Sequence, residues 1–459
     1  MGGHSMLRWV MVLTAATVFS TTTLAEDWYQ FRGGKAGKLS NLKHPMSWSK
    51  VDNVAWATPM KGVGWSSPIT VGDRIFLTSA ESEKPTKPKG MMAGVASMAT
   101  YRKRSPVNHR FVVSCFDLRT GQPLWARTVQ EAIPPTVHPS NTYATESPAT
   151  DGQRVFVFFA TTGTLTAWDV DGNELWRQEL GAFKTGNAFG TGSSLAVFGG
   201  HVFVQHDNEE NSYVASFDAE TGQSVWRNKR STSTSWSTPL IWQHGNHTEL
   251  VTCGADVVTS YDPEDGQVFW RLSGMQSAFS GSPALDSKRI YFGNSGPMSA
   301  GPLVAVPAGL RGEIRLDGDF EAEQIAWSRT KSGPGLASPV VAAGRLYIPK
   351  SGGILNCYDT KTGERIYRKR VGGMGTVAAS LWADDERVLI LDERGVTHVI
   401  GTGSEFEILG KNKIDDLFWS TPAIVGDTLL LRGVDNLYCI RRPQSSARKS
   451  GVSAGARQL

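Results

Sequence analysis

Polar side chains that could bind a ligand lie close together before one of the short apolar runs of this chain. His138, Asn141, Tyr143 and Glu146 lead directly into Ser147-Pro148. An imidazole, an amide, a phenol and a carboxyl group together can donate and accept hydrogen bonds to a polar ligand. No Ser/His/Asp, zinc-ligand or phosphate-loop spacing is recognisable in the sequence. We therefore assign no catalytic residue and predict that this segment binds a ligand or partner.

A second polar cluster connects two other apolar runs, with the sequence His206-Asp207-Asn208-Glu209-Glu210-Asn211. Its oxygen atoms are of the kind that Ca²⁺ prefers, and Ca²⁺ takes about six to eight of them. The run lacks the ligand spacing of an EF-hand. A solvated acidic loop is the favoured interpretation, and a calcium site is the alternative.

Large aromatic residues also recur near the starts of the apolar runs. One interpretation is an aromatic funnel for a planar or sugar-like ligand; the other is packing between repeated sheets. The aromatic residues concerned are Trp65, Tyr143, Phe189, Trp236, Phe279 and Trp419.

A repeated motif indicates which elements position these groups. It consists of a small residue, an aromatic residue, Asp, a turn that ends in Gly and, a few residues later, a large aromatic residue. A repeat period of roughly 40–50 residues is typical of propellers and solenoids. We interpret each copy as two strands joined by a tight turn, in which Asp accepts turn N–H groups and Gly adopts a positive φ. The copies lie at 115–125, 167–176, 216–226, 260–270 and 357–367.

Ser or Thr followed by Pro opens a further strand in most units, as at Ser67-Pro68 and Thr421-Pro422. These openings and their weaker versions define eight units of four strands each. The last unit lacks its Trp strand, while a Trp strand around Trp56 belongs to no unit. A ring closed by the N-terminal strand explains both features and removes exposed sheet edges. The sequence therefore predicts an all-β, eight-bladed propeller.

In such a ring, the starts of the innermost strands and the loops between second and third strands meet at one channel mouth, where ligands of radial folds commonly bind. A long basic insertion at 81–110 would cover this mouth as a lid; the alternative is a solvated, disordered loop. The predicted binding face consists of Trp65, His138, Asn141, Tyr143, Glu146, Asp207, Glu209, Trp236 and Trp419.

Composition defines the domains and excludes some partners. Residues 1–25 have the charge and apolar pattern of a cleaved signal peptide, residues 26–441 form the propeller, and the basic tail 442–459 is predicted to be disordered. The chain has 47 Lys and Arg against 43 Asp and Glu, and this near-neutral balance argues against nucleic acid as a partner. Three of the four cysteines occupy equivalent repeat positions, too far apart in a ring for the limit of about 7 Å between bridged Cα atoms.

The repeats resemble those of the pyrroloquinoline-quinone (PQQ) repeat, or quinoprotein-like, family of β-propellers. The family pattern Ala-x-Asp-x-x-x-Gly-x-x-x-Trp is nearly intact at 115–125, 215–226 and 357–367, and the opening 27–33 and the segment 64–68 are similar to a secreted bacterial subgroup. The resemblance implies two functions. Dehydrogenases of this family hold PQQ on Ca²⁺, with an adjacent pair of cysteines and an Asp base; this chain has no adjacent cysteines. An outer-membrane assembly lipoprotein with the same fold binds a partner protein, but its lipid-bearing Cys is also lacking.

We therefore predict a monomeric binding or scaffold module without a cofactor, located in the periplasm or outside the cell. Its partner would be a protein or a cell-envelope polymer. The alternative is a PQQ- and Ca²⁺-dependent oxidoreductase of alcohols or sugars.

Overall fold

Eight β-sheets form the ring in the computed structural model, which describes residues 27–92, 94–96, 107–275, 277–295 and 300–443. The predicted all-β propeller of eight four-stranded blades is confirmed. The expected signal peptide lies outside the described residues, as does the tail beyond residue 443. Within the described residues, no helix has the length and apolar character needed to cross a membrane.

The first strand of the chain, β1 (Val54–Pro59), belongs to the last blade, and the next sixteen strands form blades one to four. In each blade the strands follow one another from the channel outward. Blade one contains β2 (Ile69–Val71), β3 (Arg74–Ser82), β4 (His109–Asp117) and β5 (Pro123–Ala132); blade two β6 (Ala149–Thr150), β7 (Arg154–Phe159), β8 (Thr164–Asp169) and β9 (Glu174–Glu179); blade three β10 (Ala196–Phe198), β11 (His201–His206), β12 (Tyr213–Asp218) and β13 (Ser224–Lys229); blade four β14 (Leu240–His244), β15 (His247–Gly254), β16 (Val257–Tyr261) and β17 (Val268–Ser273).

The remaining strands form blades five to eight and one additional edge strand. Blade five contains β18 (Ala284–Leu285), β19 (Arg289–Ser295), β20 (Ala300–Pro307) and β22 (Trp327–Arg329), whereas β21 (Gly312–Arg315) joins blade four; blade six contains β23 (Val340–Ala342), β24 (Arg345–Lys350), β25 (Ile354–Asp359) and β26 (Arg365–Arg370); blade seven β27 (Trp382–Ala383), β28 (Arg387–Leu391), β29 (Val396–Gly401) and β30 (Ile408–Lys413); blade eight β31 (Ala423–Val425), β32 (Thr428–Arg432) and β33 (Asn436–Ile440) with β1. Short 3₁₀ turns occur at Phe31–Gly34 and Gly186–Ala188.

The ring closes as the sequence predicts. Strand β1 pairs antiparallel with β33, and Trp56 lies opposite Cys439. On the inner side of the same seam, the buried Arg432 of blade eight donates to the main-chain oxygens of Ser66 (3.0 Å) and Thr78 (2.7 Å) in blade one. The first and last blades are thus joined both at the outer edge and near the channel.

The tryptophans of the repeat connect each blade to the next. Trp56 Nε1 donates to the main-chain oxygen of Leu118 at 3.1 Å, in the Asp-to-Gly turn of the following blade. Gly121 of that turn has a φ of 72°, and a Cβ added there would meet the Trp56 ring at 2.5 Å. Both conditions require glycine at this position. Equivalent bonds join Trp125 to Val170, Trp176 to Ala219, Trp226 to Pro263 and Trp327 to Thr360.

Blade four departs from the predicted four strands. Strand β21 comes from the enlarged connection between β20 and β22 of blade five, and it pairs in parallel with β17, the outer strand of blade four. The sequence pattern does not predict this strand, because this connection carries no copy of the Asp-turn-Gly motif.

All four cysteines are buried and unpaired, as the repeat positions indicate. Cys115, Cys253, Cys357 and Cys439 lie in four different blades. Burial raises the pKa of Cys115 and Cys253 to about 12. These thiols act as small apolar side chains of the core.

The segment 27–44, which we call the N-terminal plug, enters the channel at the mouth where the inner strands end, near Thr70 and Thr150, and its Arg32 reaches the prolines of two Ser/Thr-Pro openings. Thr150 N donates to the main-chain oxygen of Tyr29 at 2.8 Å in blade two, and Val197 N donates to Gln30 Oε1 at 2.6 Å in blade three. The buried Arg32 donates to the main-chain oxygens of Pro283 in blade five and Pro339 in blade six. A short segment can reach these separate blades only by spanning the channel, so the plug closes this mouth.

Candidate functional site

The opposite mouth is bordered by the hydroxyl groups of the Ser/Thr-Pro openings. Ser67 N donates to Ser147 Oγ of the next blade at 2.8 Å, and Ser147 N donates to Ser194 Oγ at 2.9 Å. The same bond continues from Ser194 to Thr238, from Thr238 to Ser282, from Ser282 to Ser338 and from Ser380 to Thr421. The motif thus ties neighbouring blades together around the channel. The sequence pattern marks the strand openings but does not predict this role of the hydroxyl.

Aromatic rings at this mouth form an arc of two contacting groups, which we call the aromatic mouth: Trp419 with Trp65, and His138 with Phe189 and Trp236. The rings of Trp65 and Trp419 stack with their centroids 5.8 Å apart. Phe189 lies between His138 (5.0 Å) and Trp236 (6.1 Å). The two halves are joined because Trp65 Nε1 donates to the main-chain oxygen of Ser140 at 2.7 Å. The arc extends from blade eight to the start of blade four, and Trp236 and Trp419 remain partly exposed.

Phe279 does not belong to this arc. It is fully buried and packs against Phe292 within the core of blades four and five. For Phe279 the structure therefore supports the packing interpretation.

Asn141 and Tyr143 shape the loop that carries the arc into blade two. Asn141 Nδ2 donates to the main-chain oxygens of Phe189 (3.0 Å) and Thr191 (3.2 Å), and its Oδ1 accepts from Tyr143 N at 2.8 Å. Tyr143 has a φ of 61°, which is unusual for a bulky side chain, and its hydroxyl donates to Pro135 O at 2.9 Å. Both residues therefore hold this loop in place at the mouth, and the side chain of Tyr143 is buried.

Glu146 is a buried carboxyl group at the start of the inner strand of blade two, with 1% of its surface exposed. Neither carboxyl oxygen makes a hydrogen bond of normal geometry with a described residue. Burial raises its pKa to about 7, and weaker interactions with the Thr191 hydroxyl and nearby main-chain amides only partly oppose this shift. The group is therefore partly protonated at neutral pH.

The raised pKa of Glu146 predicts that this residue makes the protein less stable as pH rises. Its pKa is about 7 in the folded protein against an ordinary value of 4.5, so the folded state binds more protons between these values. The free energy of unfolding should fall by roughly 2–3 kcal/mol through this window as Glu146 ionises. Urea unfolding of the wild type and of Glu146→Gln at pH 5 and pH 8 measures this.

The variant should lose most of that pH-dependent decline, so its stability relative to the wild type should rise between pH 5 and pH 8. Burial lowers the pKa of His44, His206 and His398 to about 4, and subtracting the two proteins cancels the pH dependence of stability that these histidines contribute. An equal pH dependence of both proteins would contradict the assignment.

The acidic loop at 206–211 is only partly solvated, which corrects the favoured sequence interpretation. Asp207 and Asn208 are buried, whereas Glu209 and Glu210 are exposed. Asp207 Oδ1 accepts from Arg230 Nε at 2.8 Å, in an ion pair whose side chains are 0% and 2% exposed. Burial disfavours the charged Arg230, but Asp207 outweighs this effect and raises the pKa of Arg230.

Asp207 is consequently engaged inside the protein and does not face a partner. Glu209 accepts from Thr234 N at 3.0 Å and Thr234 Oγ1 at 2.6 Å, two residues before Trp236. Of Asp207 and Glu209, therefore, only Glu209 borders the mouth.

The insertion of blade one spans residues 83–108, because β3 and β4 extend further than the predicted bounds of 81–110. Its described residues cross the mouth toward several blades. Lys89 N donates to the main-chain oxygen of Pro139 at 3.1 Å, Met91 N donates to Glu393 Oε2 of blade seven at 3.0 Å, and Lys87 pairs with Asp435 of blade eight at 2.5 Å. This part of the insertion lies over the mouth, as expected of a lid. Residues 93 and 97–106 lie outside the described chain.

A quinone held on Ca²⁺ does not fit the described residues. No three His, Cys, Asp or Glu side chains converge in the described part of the chain to hold a metal ion. Asp207 is paired with Arg230, and Glu146 is a solitary carboxyl group with a raised pKa. Ca²⁺ requires several converging oxygen ligands, and these residues do not supply them.

Comparisons with known proteins agree with the fold. The alignment with the outer membrane protein assembly factor BamB of Taylorella asinigenitalis is 35% identical over 78 residues, 17% of this chain and 20% of that protein. The crystal structure of BamB from Moraxella catarrhalis matches with a TM-score of 0.53 at 13% identity, covering 85% of this chain and 99% of that one. The quinohemoprotein alcohol dehydrogenase from Comamonas testosteroni matches with a TM-score of 0.56 at 12% identity, covering 92% and 82%. At these identities, the structures show the shared fold alone.

The family model described as outer membrane protein assembly factor BamB matches residues 109–241 and 254–453. These ranges include copies of the Asp-turn-Gly-Trp motif that join neighbouring blades. The chain therefore belongs to this family of PQQ-repeat β-propellers.

Proposed function

We propose that this protein is a binding module of the cell envelope that holds a partner protein at the aromatic mouth. The matching family model and a curated relative are both described as outer membrane protein assembly factors, which favours a protein partner over a cell-envelope polymer. We further propose that the predicted signal peptide directs export of the protein and that binding requires no cofactor.

The observation that carries the proposal is the difference between the two channel mouths. The N-terminal plug fills one mouth with buried contacts to several blades. The other mouth has loops that differ between blades and an arc of aromatic rings, with Trp236 and Trp419 partly exposed. Tryptophan is over-represented among residues that contribute most to protein interfaces, where one side chain commonly contributes about 2 kcal/mol or more. A surface of this kind suits recognition.

Replacing the two partly exposed tryptophans tests this proposal. Trp236→Ala combined with Trp419→Ala is expected to reduce partner capture by roughly tenfold or more, because each change removes an anchor that contributes about 2 kcal/mol. Immobilised protein is incubated with envelope extract, and bound proteins are quantified by mass spectrometry. Melting temperatures of all variants show whether the fold is retained.

Lys361→Ala is the matched control, since Lys361 is exposed in a turn on the plugged side of the ring. Capture that depends on Lys361 but not on the tryptophans would place the binding site on the plugged face and contradict the proposal. Selective capture of a polysaccharide would replace the protein partner by a polymer. Dye reduction with an alcohol or sugar after addition of PQQ and Ca²⁺ would favour the oxidoreductase alternative.

A further inference from the structure

We infer that the outer edge of blade six is a second docking site, which takes an extended acidic segment of a partner protein as an added strand. This edge is β26, where an unpaired strand edge coincides with a cluster of cationic side chains. It lies on the outer rim of the ring, away from the aromatic mouth. The inference is therefore independent of the proposed function.

The cationic cluster consists of Arg365, Arg368, Lys369 and Arg370, all exposed on one six-residue strand. None of the four forms an ion pair with a residue that the structure describes. In the outer strand β9, by contrast, Arg177 pairs with Glu174 of the same strand at 2.7 Å. The formal net charge of the whole chain is only +4, so this concentration of positive charge is local.

The edge of β26 is open, because within the described chain this strand pairs only with β25. An open edge presents unpaired N–H and C=O groups that can accept another strand. Lysine commonly protects such edges from unwanted pairing. Four uncompensated cations on one strand exceed that requirement and repel one another. An anionic partner would remove this repulsion.

Blade four shows, within the same chain, that an outer edge of this type accepts an added strand. Strand β21 pairs in parallel with β17, and Arg271 lies opposite Glu313. Their side chains form an ion pair at 2.8 Å. The added strand is thus held both by main-chain pairing and by a carboxylate opposite an arginine.

The registers of blades four and six relate Arg271 to Arg368. Trp270 lies opposite Ser260, and Tyr367 lies opposite the equivalent Cys357. The next residue is arginine in both strands, and β26 adds Lys369 and Arg370 where β17 has Leu272 and Ser273. Blade six therefore repeats the arrangement of blade four with more positive charge and without an internal strand. A segment with several carboxylates fits this edge.

A synthetic peptide tests the inference. The probe is a fluorescein-labelled ten-residue peptide in which Glu alternates with Val or Thr, and its binding to the full-length protein is followed by fluorescence polarisation. Arg368→Glu combined with Arg370→Glu is expected to weaken binding by roughly tenfold or more, because like charges then face each other. Hydrogen exchange of the β26 amides should slow when the peptide binds.

Three comparisons keep the result unambiguous. Arg227→Glu with Lys229→Glu, at the equivalent positions of β13 in blade three, should leave the affinity unchanged, and melting temperatures verify that both double variants fold. A peptide with Gln for Glu should bind weakly, and a peptide N-methylated at alternate residues should not bind, because it cannot pair along the strand.

Equal binding of the N-methylated peptide would overturn strand addition, as would equal losses in the two double variants. Tighter binding of a sulfated polysaccharide than of the peptide, abolished by the blade-six change, would overturn the protein partner. Neither result bears on the aromatic mouth, which the tryptophan variants test separately.

Discussion

Removal of residues 27–59 is expected to abolish cooperative folding of the propeller. This segment supplies the N-terminal plug and β1, the outer strand of blade eight. Without it, β33 has an open edge, and several blades lose their contacts with the plug. The hydrogen bond from Trp56 to Leu118 of blade one is lost as well. A protein of this kind is stable by only about 5–15 kcal/mol. Circular dichroism during urea unfolding should show no cooperative transition.

A single substitution distinguishes the contribution of the plug to stability from that of the closing strand β1. Arg32→Ala removes the donor to main-chain oxygens of Ala36, Pro283 and Pro339, and bonds from a charged group contribute about 1.5–3 kcal/mol each. The free energy of unfolding should fall by roughly 3 kcal/mol or more, whereas the exposed Lys43→Ala should change it by less than about 0.5 kcal/mol. Wild-type stability of the deletion variant, or of Arg32→Ala, would show that the plug is dispensable.

Asp207→Ala is expected to lower the free energy of unfolding by about 3–5 kcal/mol, because it leaves Arg230 buried without its anionic partner. Arg230 also donates to Tyr261 at 3.1 Å, but a phenol does not neutralise its charge. Chemical unfolding followed by tryptophan fluorescence measures the loss. Glu210→Ala, which removes an exposed carboxylate of the same loop, should have an effect of less than about 1 kcal/mol.

A double variant tests the cause of that loss. Asp207→Leu with Arg230→Met should be more stable than Asp207→Ala, since an apolar pair leaves no isolated charge. If Asp207→Ala instead retains wild-type stability and loses partner capture, the sequence-based assignment of Asp207 to the binding face would be correct. A double variant less stable than the single one would indicate that the ion pair itself stabilises the fold.

The family resemblance and the eight-bladed ring could be predicted from sequence because the interactions involved are periodic. Asp117 accepts from the N–H groups of Arg119 and Thr120 in its own turn, and such contacts between neighbours in sequence recur in every good copy. Ring closure also explains both the unassigned strand around Trp56 and the missing outer strand of the last unit, because it pairs both edges. The location of the mouth follows from the same periodicity.

The roles of individual residues depend on tertiary contacts that the repeat does not encode. Asp207 is a residue type that often binds ligands at a surface, but Arg230, 23 residues further along the chain, meets it only after folding. Arg32 stands in a segment identified only by its resemblance, and its partners are 251 and 307 residues away. Strand β21 lies in a connection without a motif. Burial and long-range pairing depend on how the whole ring closes, and that closure decides which polar residues stabilise the fold and which remain available to a partner.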